Sequence, residues 1–144
     1  DVQGKFPKGR IVLLKPFFLF QFLEVSGKPI IIQTLELFEA NEEVSEIYVA
    51  CVKEYIGELD EMIHKFSVGK IRRIFAGGES GQDSIYKGLA EISKDHDDAI
   101  VLIHDGVRPL VDQETITKCI HDTEKFGSAM KMLLLFHQRI VGLA

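Results

Sequence analysis

Three short strand-like stretches, at residues 47–52, 71–76 and 99–103, alternate with segments whose apolar residues recur at helical spacing. That alternation constrains the fold more than any other feature of the chain. A strand buried on both faces reads as a continuous aliphatic run, as in Ile100-Val101-Leu102-Ile103. Strands separated by single helices pair in parallel through right-handed crossovers. The expected architecture is therefore α/β: a Rossmann-like, open, mostly parallel sheet with helices on both faces.

Pro29 suits a first helical position, because its φ is fixed and its missing N–H would be unpaired there anyway. Ile30, Ile31, Thr34, Leu35 and Phe38 continue that helix to about Ala40. Tyr55, Ile56, Leu59, Met62, Ile63 and Phe66 mark a second helix, and Ile85, Leu89 and Ile92 a third over 84–94. In a fourth, Asp112 is the expected N-cap and Glu114 opposes the dipole. Ile116, Cys119, Ile120, Thr123 and Phe126 would face inward, with Gly127 as C-cap. The ends are less specified. Residues 1–20 have no clean period, and "MLLLF" at 132–136 reads as a strand that leads nowhere. The expectation is one domain over 1–144, with a sheet incomplete at both ends. Whether Ile11-Val12-Leu13-Leu14 can serve as its first strand stays open.

At 144 residues, 46% of them hydrophobic, the chain can bury one domain's core. Its net charge is −5, from 17 basic and 22 acidic residues, with no basic block. Neither nucleic acid nor an anionic membrane surface is the expected partner. The apolar patch at 11–23 is broken by Lys15, Pro16 and Gln21, too short to span a bilayer, with no cleavage site behind it. The expected address is the cytoplasm. Cys51 in a strand and Cys119 on an apolar helix face read as reduced, buried thiols, and no Cys/His spacing suggests zinc.

Two loops carry the chemistry, each following a strand and preceding a helix. In "AGGESGQDS" at 76–84, Gly77, Gly78 and Gly81 allow a close backbone approach, and Glu79, Asp83 and Ser84 add acceptors and a hydroxyl near a helix N-terminus. Such a turn either cradles a ligand or is only a turn. In "IVLIHDGVRPLV" at 100–111, Asp105 ends a buried strand, where open α/β sheets bind ligands. It could hold magnesium shared with phosphate, or simply pair with Arg108. His104 reads as a packed histidine at a strand end. Two such loops one βα unit apart would face each other across a crevice. No GxGxxG or GxxxxGK[ST] is present, so neither a dinucleotide fold nor a P-loop is indicated.

Three segments, "QFLEVSGKPIIIQTLELFE" (21–39), "AGGESGQDSIYKGL" (76–89) and "LIHDGVRPLV" (102–111), together resemble in order and spacing the 2-C-methyl-D-erythritol 4-phosphate cytidylyltransferase family and its ribitol-5-phosphate relatives. The family-like core runs over 21–130. The resemblance implies a nucleotidyltransferase-type sheet and an enzyme that joins CMP from CTP to a polyol phosphate and releases pyrophosphate. Its expected substrate is 2-C-methyl-D-erythritol 4-phosphate, in isoprenoid precursor synthesis, and its expected cofactor Mg²⁺. It also implies roles: Gly77, Gly78, Glu79, Asp83 and Ser84 as nucleotide-binding, with Gly78, Glu79 and Ser84 at the cytosine and ribose, Asp105 on the metal, and Arg108 as the catalytic residue ordering the phosphate side. A family homodimer is expected too, but its dimerisation arm is not recognisable on 131–144.

The chain also departs from the family pattern. The lysine expected just before "QFLE" is Phe20, no double-glycine loop lies upstream, and Gly81 replaces a common arginine. Lys15 and Arg10 are nearby cations that the sequence does not fix in place. Both breaks are abrupt, as frame shifts or deliberate alteration around a genuine core would leave them. Two readings follow: a working cytidylyltransferase, for either polyol phosphate, or an impaired fragment that keeps at most nucleotide binding.

Overall fold

The computed structural model describes residues 9–16 and 20–126. Its main sheet has four parallel strands: β1 (Gly9–Lys15), β4 (Glu46–Cys51), β5 (Ile71–Ala76) and β6 (Ala99–Asp105), in the order β5-β4-β1-β6. The run Ile11–Leu14 does form a strand, and it is an interior one, fully buried on both sides. A separate two-stranded hairpin joins β2 (Glu24–Val25) to β3 (Lys28–Pro29).

The two-residue period of a strand sends alternate side chains to opposite faces. Val12 and Leu14 of β1, with Ile47, Val49 and Cys51 of β4, enter the larger core. Over that face lie α1 (Ile30–Glu39), α2 (Ile56–Lys65) and α4 (Gln113–Phe126), contributing Ile31, Ile32, Leu35 and Phe38, Leu59 and Ile63, and Ile116 and Ile120. Ile11, Leu13 and Tyr48 point the other way, beneath α3 (Gly81–Ser93) and its Ile92 and Ile85. Helices thus cover both faces.

Several boundaries differ from the sequence expectation, each for a local reason. Pro29 is the residue before α1 and not its first: ψ of 140° keeps it extended, paired in the hairpin. The third helix starts at Gly81, not Ser84, because the Ser80 side chain accepts the Asp83 N–H at 3.1 Å and closes an extra turn. β6 runs two residues past Ile103, so His104 and Asp105 belong to the ladder, where Lys15 is the register partner of Asp105. Asp112 caps α4 as expected, its Oδ1 accepting the Thr115 N–H at 2.6 Å. Cys51 and Cys119 are both buried. The expected C-cap Gly127, the "MLLLF" run and residues 1–8 lie outside the described residues.

Candidate functional site

From β1 the chain moves outward on one side through β4 to β5, then returns to place β6 on β1's other side. The carboxyl end of β1 is therefore the switch point, where neighbouring connections diverge and leave a crevice. Both loops singled out in the sequence open there.

On the β6 side, Asp105 is the last strand residue. Its Oδ1 lies 3.1 Å from Lys15 Nζ, and its Oδ2 accepts a 2.7 Å hydrogen bond from Arg108 Nε. Burial would raise the Asp105 carboxyl, but the hydrogen bonds and charges of Arg108 and Lys15 outweigh it and hold it below the usual range. The adjoining turn is fixed from three sides. The Gly106 N–H donates to Lys15 O at 3.1 Å, Thr34 Oγ1 of α1 donates to Gly106 O at 2.8 Å, and His104 Nε2 donates to Arg108 O at 2.9 Å.

On the β5 side, the Gly77 N–H donates to Cys51 O at 2.9 Å, tying the glycine loop to the end of β4. Ser84 is buried, and its Oγ accepts the Gly78 N–H at 3.0 Å. Gly78 must be glycine: a Cβ there would sit 2.2 Å from Asp83 Cβ. Glu79 and Asp83 are exposed, and neither makes an ion pair among the described residues. The loop thus braces Gly77, Gly78 and Ser84 into one unit and leaves two carboxylates facing solvent.

Lys15 joins the halves. A Cβ on Gly81, the first residue of α3, would lie 3.8 Å from its Nζ, while the same ammonium pairs with Asp105. Below the crevice Gln21 is fully buried; its Nε2 faces Cys51 Sγ at 3.8 Å, and its Oε1 has no hydrogen-bond partner among the described residues. Burial pushes the Cys51 thiol up to about 11, opposed by Gln21, so no reactive thiolate sits there. The sequence showed Lys15 only as an unfixed cation and did not single out Thr34 or Gln21 beside the candidate site. Strand register would have found Lys15, and a threonine on an otherwise aliphatic helix face was the signal for Thr34. Arg10, the other cation noted upstream, lies at the far end of β1 and pairs with Glu43 and Glu124.

The profile of the 2-C-methyl-D-erythritol 4-phosphate cytidylyltransferase family matches residues 19–135. The chain belongs to this family. It is similar to the ribitol-5-phosphate cytidylyltransferase of Streptococcus agalactiae serotype Ia, 43% identical over 111 residues, which cover 76% of this chain and 46% of that protein. The 2-C-methyl-D-erythritol 4-phosphate cytidylyltransferase of Clostridium botulinum (strain Loch Maree / Type A3) is 38% identical over 109 residues, 76% of this chain and 47% of that one. The solved 4-diphosphocytidyl-2C-methyl-D-erythritol synthase of Anaerococcus prevotii DSM 20548 superposes with a TM-score of 0.69 at 27% identity, over 82% of this chain and 52% of that chain. This cytidylyltransferase-family chain spans about half the length of the relatives it matches.

The metal expected from the family can be tested against the donors present. Among the described residues no three His, Cys, Asp or Glu side chains cluster as a ready-made cage. A single ionised carboxylate, Asp105, fits magnesium of the kind that completes its shell with water and substrate phosphates. Among the described residues no helix is long and apolar enough to cross a membrane.

Proposed function

We propose that this chain is the nucleotide-binding part of a cytidylyltransferase that transfers CMP from CTP to a polyol phosphate. The meeting of the glycine loop and the Asp105–Arg108 loop at the end of β1 carries this reading, in a chain of this family. A phosphate oxygen of the polyol phosphate attacks the α-phosphorus of CTP. A new P–O bond forms there, the bond to the β-phosphate breaks, and pyrophosphate leaves with the electron pair. The protein's work is positioning and charge neutralisation. Gly77 and Gly78 offer backbone to the base, Glu79 and Asp83 stand ready as acceptors, and Ser84 keeps its own O–H to donate while accepting from Gly78. Asp105 would hold Mg²⁺, which supplies positive charge to the phosphates when bound, and Arg108 orders the phosphate side.

Ribitol 5-phosphate and 2-C-methyl-D-erythritol 4-phosphate are the two candidate acceptors. The higher identity to a relative named for ribitol 5-phosphate, 43% against 38%, favours the former. A cytoplasmic, homodimeric enzyme completes the proposal. A second reading, binding without turnover, is supported by Phe20 at the position where the family pattern calls for lysine.

Phosphorus NMR of CTP with each acceptor and Mg²⁺ tests the proposal. The expected result is a new cytidine diphospho-polyol with stoichiometric pyrophosphate, slowed about a hundredfold or more in Asp105→Asn. Turnover unaffected by Asp105→Asn would contradict the site. CTP binding with no product would favour the second reading.

A further inference from the structure

We infer that Lys15 is this chain's polyphosphate-binding cation, released from Asp105 when a nucleoside triphosphate enters; the inference rests on the nucleotide-binding reading above. Lys15 ends the strand at the switch point and is the register partner of Asp105. Asp105 is already served by Arg108 on Oδ2, so the Lys15 ammonium on Oδ1 is a second cation on one carboxylate. The three side chains together carry one net positive charge. They are also reachable, with Lys15 32% and Arg108 47% exposed against 19% for Asp105.

The surplus charge has a direction. Lys15 Nζ stands between Asp105 and the first residue of α3, a helix of 13 residues. The positive end of that helix's dipole adds to the ammonium's field, offset in part by Asp83 in the helix's first turn. A polyanion lying across the end of β1 would meet both. Lysine suits an exchange of partners, because its point charge rides on a flexible stem and gives up no fixed bidentate geometry when it turns. Once Lys15 moves to a phosphate oxygen, Oδ1 of Asp105 is open to a metal ion while Arg108 still holds Oδ2. The consequence is selectivity for triphosphate over monophosphate.

Calorimetry on the full chain tests this with CTP, CMP, ATP and inorganic tripolyphosphate, using wild type, Lys15→Gln and Lys15→Arg. Melting curves check that each variant folds. Lys15→Gln should weaken CTP and tripolyphosphate by about ten- to a hundredfold, the effect of one charge-assisted contact. CMP should change less than about twofold, and Lys15→Arg should recover most of the CTP affinity. Equal losses for CTP and CMP, or none for CTP, would overturn the inference and leave the cytidylyltransferase reading standing. Lys15-dependent binding of tripolyphosphate with no preference for CTP over ATP would do the reverse. A wild-type chain that binds none of the four probes would overturn both.

Discussion

His104 sits one residue before the candidate metal ligand. It packs edge-on against Phe38, with ring centroids 5.1 Å apart, and its Nε2–H holds the Arg108 carbonyl. Burial pulls its pKa below 6.5, opposed by the Arg108 carbonyl and the Asp105 charge. A histidine lowered on folding binds fewer protons in the native state than in the unfolded chain. Its contribution to stability is therefore complete above pH 6.5 and is lost as pH falls below that value. Denaturant titrations from pH 7.5 to 5.5 should register this loss, at most about 1.4 kcal/mol per pH unit, and His104→Gln should flatten the slope. An unchanged slope in the variant would mean that His104 is not the group responsible. That His104 is packed at a strand end was legible in the sequence. That Lys15 meets Asp105 was not, because only strand register brings the two together.

α3 is the element that sets the glycine loop against the sheet. Its close seat depends on Gly88: a Cβ there would lie 2.5 Å from Cδ1 and 2.6 Å from Cδ2 of Leu13, a fully buried side chain. Gly→Ala inside a helix ordinarily gains about 1 kcal/mol in propensity. Here overpacking should exceed that gain and leave a net loss of about 1–2 kcal/mol. The check is a lower urea midpoint at unchanged m; a raised midpoint would mean that α3 is seated elsewhere. At this scale the sequence was readable where periodicity governs, and β5 spans 71–76 as expected. It was misleading where a cap governs. The start of α3 is set by one Ser80 hydrogen bond inside a glycine-rich stretch, and hydrophobic spacing carries no trace of it.

Across the whole molecule, strand order does the work of assembly. β5 and β6 are the outer strands of the four, yet the loops that follow them converge, because α3 crosses over β4 and β1 on the way back. Alternation of strands and helices gave away the fold class. It did not reveal the order, since parallel pairing depends on contacts distant in sequence, nor that Ile11–Leu14 would occupy the interior. An apolar run beside a proline and a lysine looks unspecified until both its faces are covered. The Asp105–Arg108 half of the candidate site was visible as charge following a buried strand, whereas Thr34 and Gln21 were hidden among core positions.

On the proposed function, two loops from opposite margins of the sheet form one cytidine nucleotide site. Amide chemical-shift mapping during a CTP titration with Mg²⁺ addresses it most directly. Saturable shifts, with one common Kd, are expected at Gly77, Gly78, Ser80 and Gly81 and at His104, Asp105, Gly106 and Arg108, with smaller shifts for ATP. Shifts confined to one loop, or centred on Glu46, Asp95 and His96 at the other end of the strands, would contradict it.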